Sequence, residues 1–227
     1  MEISDWGFID YREALARQED WVQKIANGEM DDQLVFCSHP PVVTLGRSLQ
    51  AREDLAGWTG DVVEISRGGR ATYHGPGQIL IYPLLDLTKS RVTVPARDLG
   101  AYLRSLESIV VEALNSIDIP ARSSLEAQGE KQGDLSLTGV WVRNRKIASL
   151  GVAARRWVVF HGAALNLEKD EGAFKGLNPC GYSSNVMTSV EEEIGEKGLR
   201  KILQQHLAKA AVERFKFGSC ALPEGNQ

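Results

Sequence analysis

The sequence has few of the residues that mark a disulfide-stabilised or metal-binding protein. Only three of its 227 residues are cysteines, and no two of them form a C-x-x-C pair. An odd number of cysteines without such a pair argues against a disulfide framework or a zinc ribbon and suits a reducing compartment. No two histidines have the H-E-x-x-H or H-x-x-E-H spacing of a zinc site. We therefore expect no bound metal and no cofactor.

Long apolar runs and an excess of positive charge are also absent. No run approaches the roughly 18 apolar residues that a transmembrane helix needs. The N-terminus lacks the basic and apolar regions of a signal peptide. The formal net charge is −4, which argues against nonspecific nucleic-acid binding because such binding depends on neutralising phosphates. We expect a cytoplasmic protein that binds neither membrane nor nucleic acid.

The apolar pattern predicts one domain over residues 1–227 that contains both helices and strands. Apolar residues at three- and four-residue intervals predict helices over 10–26, 95–117 and 198–214. Short β-branched runs predict strands at 34–38, 42–47, 62–65, 79–86, 138–142, 146–153 and 157–166. Residues 121–137 are polar and glycine-punctuated, and we expect them to form a mobile loop. The predicted class is α+β, with a sheet rich in hairpins and helices packed against it.

Glycines are concentrated in the stretch from Arg67 to Gln78, which lies between two predicted strands. The stretch contains four glycines and one proline. It lacks the spacing of a phosphate loop and the strand–G-x-G-x-x-G–helix context of a dinucleotide site. Glycine lets a backbone approach a ligand closely, but it also occurs in ordinary turns and bulges. Both a site loop and a structural hairpin are open at this point.

Cys180 is the cysteine whose surroundings best suit chemistry. It lies between Pro179 and Gly181 in a predicted loop, whereas Cys37 lies in an apolar run and Cys220 near the C-terminus. A nucleophilic cysteine needs a nearby cation, histidine or helix N-terminus to lower its pKa from about 8.5. The alternative is an incidental cysteine in a turn.

A lysine and a histidine are candidates to assist that cysteine. Lys146 begins a predicted strand and could equally be a solvated edge residue. His161 interrupts an apolar run and could be a core histidine. Between residues 139 and 166 all charged side chains are cationic, which indicates either a basic face that docks an acidic macromolecule or an ordinary solvated hairpin. These cations are Arg143, Arg145, Lys146, Arg155 and Arg156.

Taken in order, several segments resemble the lipoyl(octanoyl) transferase family. The resemblance covers roughly residues 7–217 and is loosest at 121–137 and 168–175. Its segments are His39-Pro40-Pro41, Thr44-Leu45-Gly46-Arg47, Arg67-Gly68-Gly69 with Thr72-Tyr73-His74 and Gly77, Thr138–Val142, Lys146–Gly151, His161-Gly162 with Ala164-Leu165-Asn166, and Pro179-Cys180-Gly181. It implies a mixed, largely antiparallel sheet with flanking helices, like the catalytic domain of biotin and lipoate protein ligases.

The resemblance also implies a set of site residues. Cys180 would carry the acyl group as nucleophile, and Lys146 would be its catalytic partner. His161 and His39 are possible supporting residues. The implied substrate-binding residues are Arg67, Gly68, Gly69, Arg70, Ala71, Thr72, Tyr73, His74, Ser149, Leu150, Gly151, Gly162, Ala163 and Ala164.

The implied reaction is octanoyl transfer to a lysine, without ATP. The donor would be octanoyl-acyl carrier protein. The acceptors would be lipoyl domains of 2-oxoacid dehydrogenase complexes and the glycine cleavage H protein. One alternative is an ATP-dependent lipoate or biotin ligase on the same fold, which needs no cysteine. Another is a noncatalytic module that binds a carrier protein through the basic hairpin.

Overall fold

The computed structural model of the chain describes residues 1–48, 52–55, 57–128, 138–170, 172–174, 176–177 and 186–217. Within these residues, helices and strands alternate along the chain. The strands are β1 (Glu2–Phe8), β2 (Gln33–Ser38), β3 (Val42–Leu45), β4 (Asp61–Glu64), β5 (Ala71–His74), β6 (Gln78–Asp86), β7 (Ala121–Ser123), β8 (Gly139–Val142), β9 (Arg145–Arg155) and β10 (Val158–Asn166). The helices are α1 (Tyr11–Asn27), α2 (Leu99–Asn115), α3 (Ser124–Gln128), α4 (Val190–Ile194) and α5 (Arg200–Phe215), with a 3₁₀ turn at Glu53–Leu55.

The described strands form a large and a small sheet. The large sheet has the order β1-β2-β6-β10-β9-β8-β7, and the small sheet has the order β4-β3-β5. Only the pairs β1–β2 and β3–β4 are parallel among the described strands. Helices α2 and α5 pack on one face of the large sheet and α1 on the other. The predicted α+β class, with a mixed and largely antiparallel sheet, is confirmed.

Helix α1 begins and ends where its sequence predicts. The Asp10 carboxylate accepts hydrogen bonds from the backbone N–H groups of Arg12 and Glu13, at 2.8 and 3.2 Å. Gly28 takes a left-handed conformation (φ 76°) at the C-terminus, which glycine adopts without steric cost. The apolar face of the helix packs on the strand residues Val35 and Leu80. This packing fixes α1 above the face of the large sheet that carries the candidate site.

The predicted start of α2 at Pro95 is wrong. The helix begins at Leu99, because the Asp98 carboxylate accepts a hydrogen bond from the Ala101 N–H at 2.7 Å and so caps the first turn. Pro95 instead accepts a hydrogen bond from the Asp98 N–H in the preceding turn. A side-chain cap satisfies an otherwise unpaired helical N–H and therefore decides where the helix starts.

The glycine-rich stretch is not one continuous loop. Residues 71–74 form β5, which pairs antiparallel with β3 and belongs to the small sheet. Turns on either side of β5 hold the glycines. At the first turn, the Gly69 carbonyl oxygen approaches Gly46 so closely that a Cβ on Gly46 would collide with it. The predicted loop at 121–137 is also partly ordered, as β7 and α3, and its remainder lies outside the described residues.

The five cations of the β8–β10 region do not form one basic face. At one end of β9, Arg145 pairs with Glu192 of α4 at 2.8 Å and Arg143 pairs with Glu193 at 3.3 Å. At the other end, Arg155 pairs with Glu19 of α1 at 3.2 Å. Lys146 is buried. Of the two interpretations of these cations, the ion pairs favour an ordinary solvated hairpin over a single basic face. Separately, no helix in the described part of the chain is long and apolar enough to cross a membrane.

Candidate active site

A track of small residues crosses the face of the large sheet that α1 covers. In the register of the sheet, Ser149 of β9 lies opposite Gly139 of β8 and Ala164 of β10, and Gly151 lies opposite Gly162. Alternate residues of a strand face the same side, so these five residues share one face. We call them the small-residue track. They leave space above the sheet that larger side chains would fill.

Gly162 is required in the track by a close backbone approach. A Cβ at this position would collide with the carbonyl oxygen of Ile81 and would lie 2.9 Å from the Cδ atom of Pro83. Pro83 has no N–H to donate to the neighbouring strand. The described register between β10 and β6 accordingly skips from Val159 to Ala163.

Lys146 faces the same side of the sheet as the track. Val140 pairs with Ala148, but Trp141 pairs with Lys146, so one extra residue of β9 forms a bulge between them. The bulge shifts the alternation and places Lys146 on the face of Gly139 and Ser149. A Cβ on Gly139 would lie 3.2 Å from the Lys146 Nζ atom. The ammonium group is 5.6 Å from the centre of the Trp141 ring.

The burial of Lys146 decides between its two interpretations. Its side chain is only 2% exposed, so a solvated edge lysine is excluded. Its carbonyl oxygen accepts a hydrogen bond from the Thr188 N–H at 3.0 Å, and Thr188 also accepts one from the Asn166 side chain. The backbone of Lys146 is therefore fixed beside Thr188.

A narrow cavity of about 20 Å³ lies above the track. It joins the glycine-rich stretch to β9 and β10, which are far apart in sequence. Its lining residues are Tyr11, Arg67, Thr72, His74, Leu80, Tyr82, Ser149, Leu150, Gly151, His161, Gly162, Ala163 and Ala164. The structure thus brings most of the predicted substrate-binding residues together, with His161 among them. We call this the narrow cavity.

Arg67 forms the roof of the narrow cavity. A Cβ on Gly151 would lie 2.5 Å from the Arg67 Cδ atom, so the aliphatic stem of the arginine lies across the track. The Nε and Nη1 atoms of the guanidinium also lie close to Gly151, and the Nη2 atom donates hydrogen bonds to the carbonyl and hydroxyl oxygens of Thr44, each at 2.9 Å. An arginine stem can line an apolar space while its charged head binds elsewhere.

Several predicted site residues do not line the narrow cavity. Arg70 forms an ion pair with the buried Asp54 at 2.5 Å, and Asp54 also accepts a hydrogen bond from the Ala71 N–H. These contacts anchor the small sheet. His39 contacts the Ile9 carbonyl oxygen and the Tyr82 hydroxyl, each at 2.8 Å, and so braces a lining residue. Outside the lining residues are Gly68, Gly69, Arg70, Ala71, Tyr73 and His39.

The sequence interpretation missed three lining residues. Tyr11 is the first residue of α1, and in the sequence it belongs to an ordinary apolar helix face. Leu80 and Tyr82 read as core positions of a buried strand. The available signal was the alternation of β6, which puts both of them on the same face as Ala164 and Gly162.

Three buried histidines near the cavity are held in the neutral form. Burial, together with the nearby Arg67 cation, lowers the pKa of His161 to about 3. Burial also lowers the pKa of His74 well below its ordinary value, with smaller contributions from His39 and Arg67. The pKa of His39 is lowered by burial as well, against an opposing hydrogen bond to Ile9.

These histidines predict that the protein is destabilised by mild acid. An unfolded histidine has a pKa of about 6.5, so below that pH the unfolded chain binds protons that the folded protein does not. The contribution of the neutral histidines to the free energy of unfolding is fully present above about pH 6.5 and is lost as the pH falls towards 3. When the pH is lowered from 7 to 5, the lowered pKa of His161 alone should reduce the free energy of unfolding by about 2 kcal/mol. Urea unfolding at several pH values measures this change.

The variant His161→Asn tests whether His161 causes this pH dependence of stability. Asparagine tolerates the left-handed backbone at this position (φ 60°) and does not titrate. The loss of stability between pH 7 and pH 5 should be smaller in the variant by about the same 2 kcal/mol. An equal pH dependence in both proteins would contradict the assignment.

A wider cavity of about 200 Å³ adjoins the narrow one on the same sheet face. Gln78 of β6 and Asn166 of β10 line it, and they lie one alternate position beyond Leu80 and Ala164. We call it the wide cavity. Its lining residues are Tyr73, Gly77, Gln78, Asn166, Glu168, Lys169, Asp170, Ala173, Phe174, Met187, Thr188, Ser189 and Glu192.

Residues that flank the Cys180 segment in sequence line the wide cavity. Phe174 and Met187, on either side of that segment in sequence, both line the cavity. Met187 also forms a bridge with Lys146. Cys180 itself lies outside the described residues, as does its predicted turn. Within the described residues, no group of three or more His, Cys, Asp or Glu side chains is arranged to hold a metal ion.

Comparison with known proteins defines the class of this fold. The family model of the lipoyl protein ligase A/B catalytic domain matches residues 10–216. A lipoate-protein ligase A solved with ATP superposes with a TM-score of 0.71 at 19% identity, covering 98% of this chain and 89% of the other. A biotin protein ligase from Aquifex aeolicus gives 0.51 at 11% identity, with coverages of 94% and 68%. At these identities the solved structures show the fold alone, and they confirm the predicted likeness to both ligase types.

More similar relatives identify the family within this class. An octanoyltransferase from Bdellovibrio bacteriovorus is 49% identical over 198 residues, which are 86% of this chain and 90% of the relative. One from Syntrophotalea carbinolica is 41% identical over 196 residues, with coverages of 86% and 85%. The chain belongs to the octanoyltransferase family and is an acyltransferase.

Proposed function

We propose that the protein moves an octanoyl group from octanoyl-acyl carrier protein to a lysine of a lipoyl domain, through a thioester on Cys180. The acceptors proposed are the lipoyl domains of 2-oxoacid dehydrogenase complexes and the glycine cleavage H protein. The reaction would be a step of protein lipoylation in the cytoplasm. Family membership supports the octanoyl group, and the arrangement of the two cavities supports two substrates that meet at one point.

The position of Lys146 on the sheet face that holds both cavities carries this proposal. Lys146 lines neither cavity, but it lies next to Gly139 of the small-residue track and near Gln78 and Asn166, which line the wide cavity. An acyl chain above the small-residue track would therefore have its carbonyl end beside Lys146. The wide cavity offers a route to the same point for the arm of the carrier protein and then for the acceptor lysine.

The first half of the reaction forms the acyl-enzyme. The Cys180 thiolate attacks the thioester carbonyl carbon, a new C–S bond forms, and the C–S bond to the carrier protein breaks. The carrier leaves as a thiolate that takes up a proton from the Lys146 ammonium, which becomes a neutral amine. Lys146 would stabilise the Cys180 thiolate by its charge and a hydrogen bond. One thioester replaces another of similar energy, so this half needs no ATP.

The second half transfers the acyl group to the acceptor. The neutral amine of the acceptor lysine attacks the Cys180 thioester, an amide C–N bond forms, and the bond to the Cys180 sulfur breaks. The amine proton passes to a base at the junction of the cavities, and Lys146 is the candidate for it. An amide is more stable than a thioester, which drives the reaction forward.

The acyl chain would lie between the small-residue track and the stem of Arg67. At about 20 Å³ the narrow cavity holds little more than one water molecule, so the roof must move away from the track when the chain enters. The side chain of Arg67 has four rotatable bonds, and its movement would break the hydrogen bonds that it donates to Thr44 of β3. Each buried methylene would contribute about 0.8 kcal/mol, or a few-fold in affinity.

An ATP-free transfer assay tests the proposed function. Purified protein is incubated with octanoyl-acyl carrier protein and a lipoyl domain, and the mass of the lipoyl domain is measured. We expect one octanoyl group on the domain without ATP. Transfer only from free octanoate with ATP would contradict the proposal and favour a ligase, as in the structural relative solved with ATP.

A further inference from the structure

The end of the narrow cavity farthest from Lys146 carries buried polar atoms with no hydrogen-bond partner among the described residues. They are both ring nitrogens of His161, which lines the cavity, and the Nε2 atom of Gln18, a residue of α1 in contact with His161. His161 is 3% exposed and Gln18 is fully buried. Buried polar groups are nearly always paired, so several unpaired atoms at one place need an explanation.

The backbone at His161 aims its ring into the cavity. Strand alternation alone would place this side chain on the face of α2 and α5. The left-handed conformation (φ 60°) breaks the alternation, and the ring lies 4.5 Å from that of Phe160 and lines the narrow cavity. The His161 N–H donates to the Gln18 Oε1 atom at 2.9 Å, which ties the strand to α1. A non-glycine residue in this conformation is strained, and such strain is typical of functional positions.

His161 also stands where the track ends. It pairs with Val152, one position beyond the pair of Gly151 and Gly162. Ala153 and Phe160 follow and pack against α1, which closes the face at this end. An acyl chain that enters from Lys146 would therefore meet the His161 ring last.

The length of the track matches an eight-carbon chain. The Lys146 ammonium lies over Gly139, which is opposite Ser149. From Ser149 to Val152 the strand advances about 10 Å, at about 3.3 Å per residue. The seven bonds from the carbonyl carbon to the last carbon of an octanoyl group advance about 9 Å, since each bond of about 1.5 Å contributes about 1.3 Å in an extended chain.

We propose that His161, supported by Gln18, is the end wall of the acyl site and restricts the substrate to about eight carbons. This inference rests on the proposed function. Methylenes up to the eighth gain apolar contact with the track and the Arg67 stem. A longer chain would press carbon against unpaired polar nitrogens that it cannot hydrogen-bond, and it would displace the imidazole ring. His161 is thus a specificity-determining residue and has no part in the chemical steps.

Transfer rates with carrier proteins that bear octanoyl, decanoyl and dodecanoyl groups test the end wall. The wild type should use dodecanoyl at least about tenfold less well than octanoyl, since even one misplaced methylene can cost that factor. In His161→Gly the dodecanoyl-to-octanoyl ratio should rise about tenfold, and in His161→Asn it should rise by less. Glycine and asparagine both tolerate the left-handed backbone, so both variants should fold. Urea unfolding checks this.

His206→Asn is the matched control, because it makes the same chemical change on α5, away from the cavity. The dodecanoyl-to-octanoyl ratio of His206→Asn should equal that of the wild type. If the wild type is active and both His161 variants keep its dodecanoyl-to-octanoyl ratio, His161 is not the end wall, and the proposed function still stands. A wild type that transfers none of the three acyl groups would overturn the proposed function itself.

Discussion

Replacing Cys180 by alanine is expected to lower octanoyl transfer by about a thousandfold or more. The proposed reaction passes through a thioester on this sulfur, so the variant has no nucleophile at position 180 to carry the acyl chain. Loss of a nucleophile commonly removes almost all of the rate that an enzyme adds. The rate is measured with octanoyl-acyl carrier protein and a lipoyl domain, by the mass of the domain over time.

Cys220→Ala is the control for this substitution, because it removes a cysteine from the C-terminal end of the chain. It should transfer octanoyl at the wild-type rate. Near-normal transfer by Cys180→Ala would show that the acceptor lysine attacks the carrier thioester directly. Binding of the carrier with no dependence on Cys180 would instead favour a noncatalytic module.

Replacing Lys146 by methionine is expected to lower the rate by about a hundredfold and to raise the pKa of the Cys180 thiol. Methionine keeps the length of the stem and removes the charge that would stabilise the thiolate. Lys146 is buried on the face of the small-residue track, so bulk water cannot replace that charge well. Alkylation of Cys180 at a series of pH values measures the thiol pKa, which should rise towards about 8.5.

Lys201→Met on α5 is the control for Lys146→Met, since it removes an exposed lysine from a helix on the opposite face of the sheet. Its alkylation curve should match that of the wild type. Urea unfolding of Lys146→Met checks that the variant is folded before its rate is compared with that of the wild type. An unchanged alkylation curve in Lys146→Met would remove the activating role of this residue.

The sequence predicted the elements whose apolar pattern and end signals agree. Helix α1 has Asp10 before it and Gly28 after it, and β10 is one long apolar run; both were predicted nearly to their ends. The start of α2 was misplaced because a proline at a first helical turn and an aspartate cap three residues later are both good start signals. In the structure, α2 begins directly after the Asp98 cap.

The glycine-rich stretch shows what the sequence could not settle. Its glycines predicted turns, but the strand formed by residues 71–74 within it depends on pairing with β3, some thirty residues earlier in the chain. The orientation of Lys146 was equally hidden, because it depends on a bulge between β8 and β9. Such tertiary contacts override local patterns.

The site residues were available from the sequence only through the resemblance. Small residues at Ser149–Gly151 and Gly162–Ala164 carry no signal of their own until the register places them side by side. His161 could be read equally as a core histidine or as a site residue. Its positive φ and unpaired nitrogens, which favour a role in the site, appear only in three dimensions.

The mass of the enzyme after exposure to octanoyl-acyl carrier protein alone tests the central claim most directly. The protein is incubated with the donor without ATP and without a lipoyl domain, then digested and analysed by mass spectrometry. The account predicts one octanoyl group, on the peptide that contains Cys180, and its loss when a lipoyl domain is added. A wild-type protein that carries no octanoyl group, or that carries it on another residue while Cys180→Ala is labelled equally, would contradict the account.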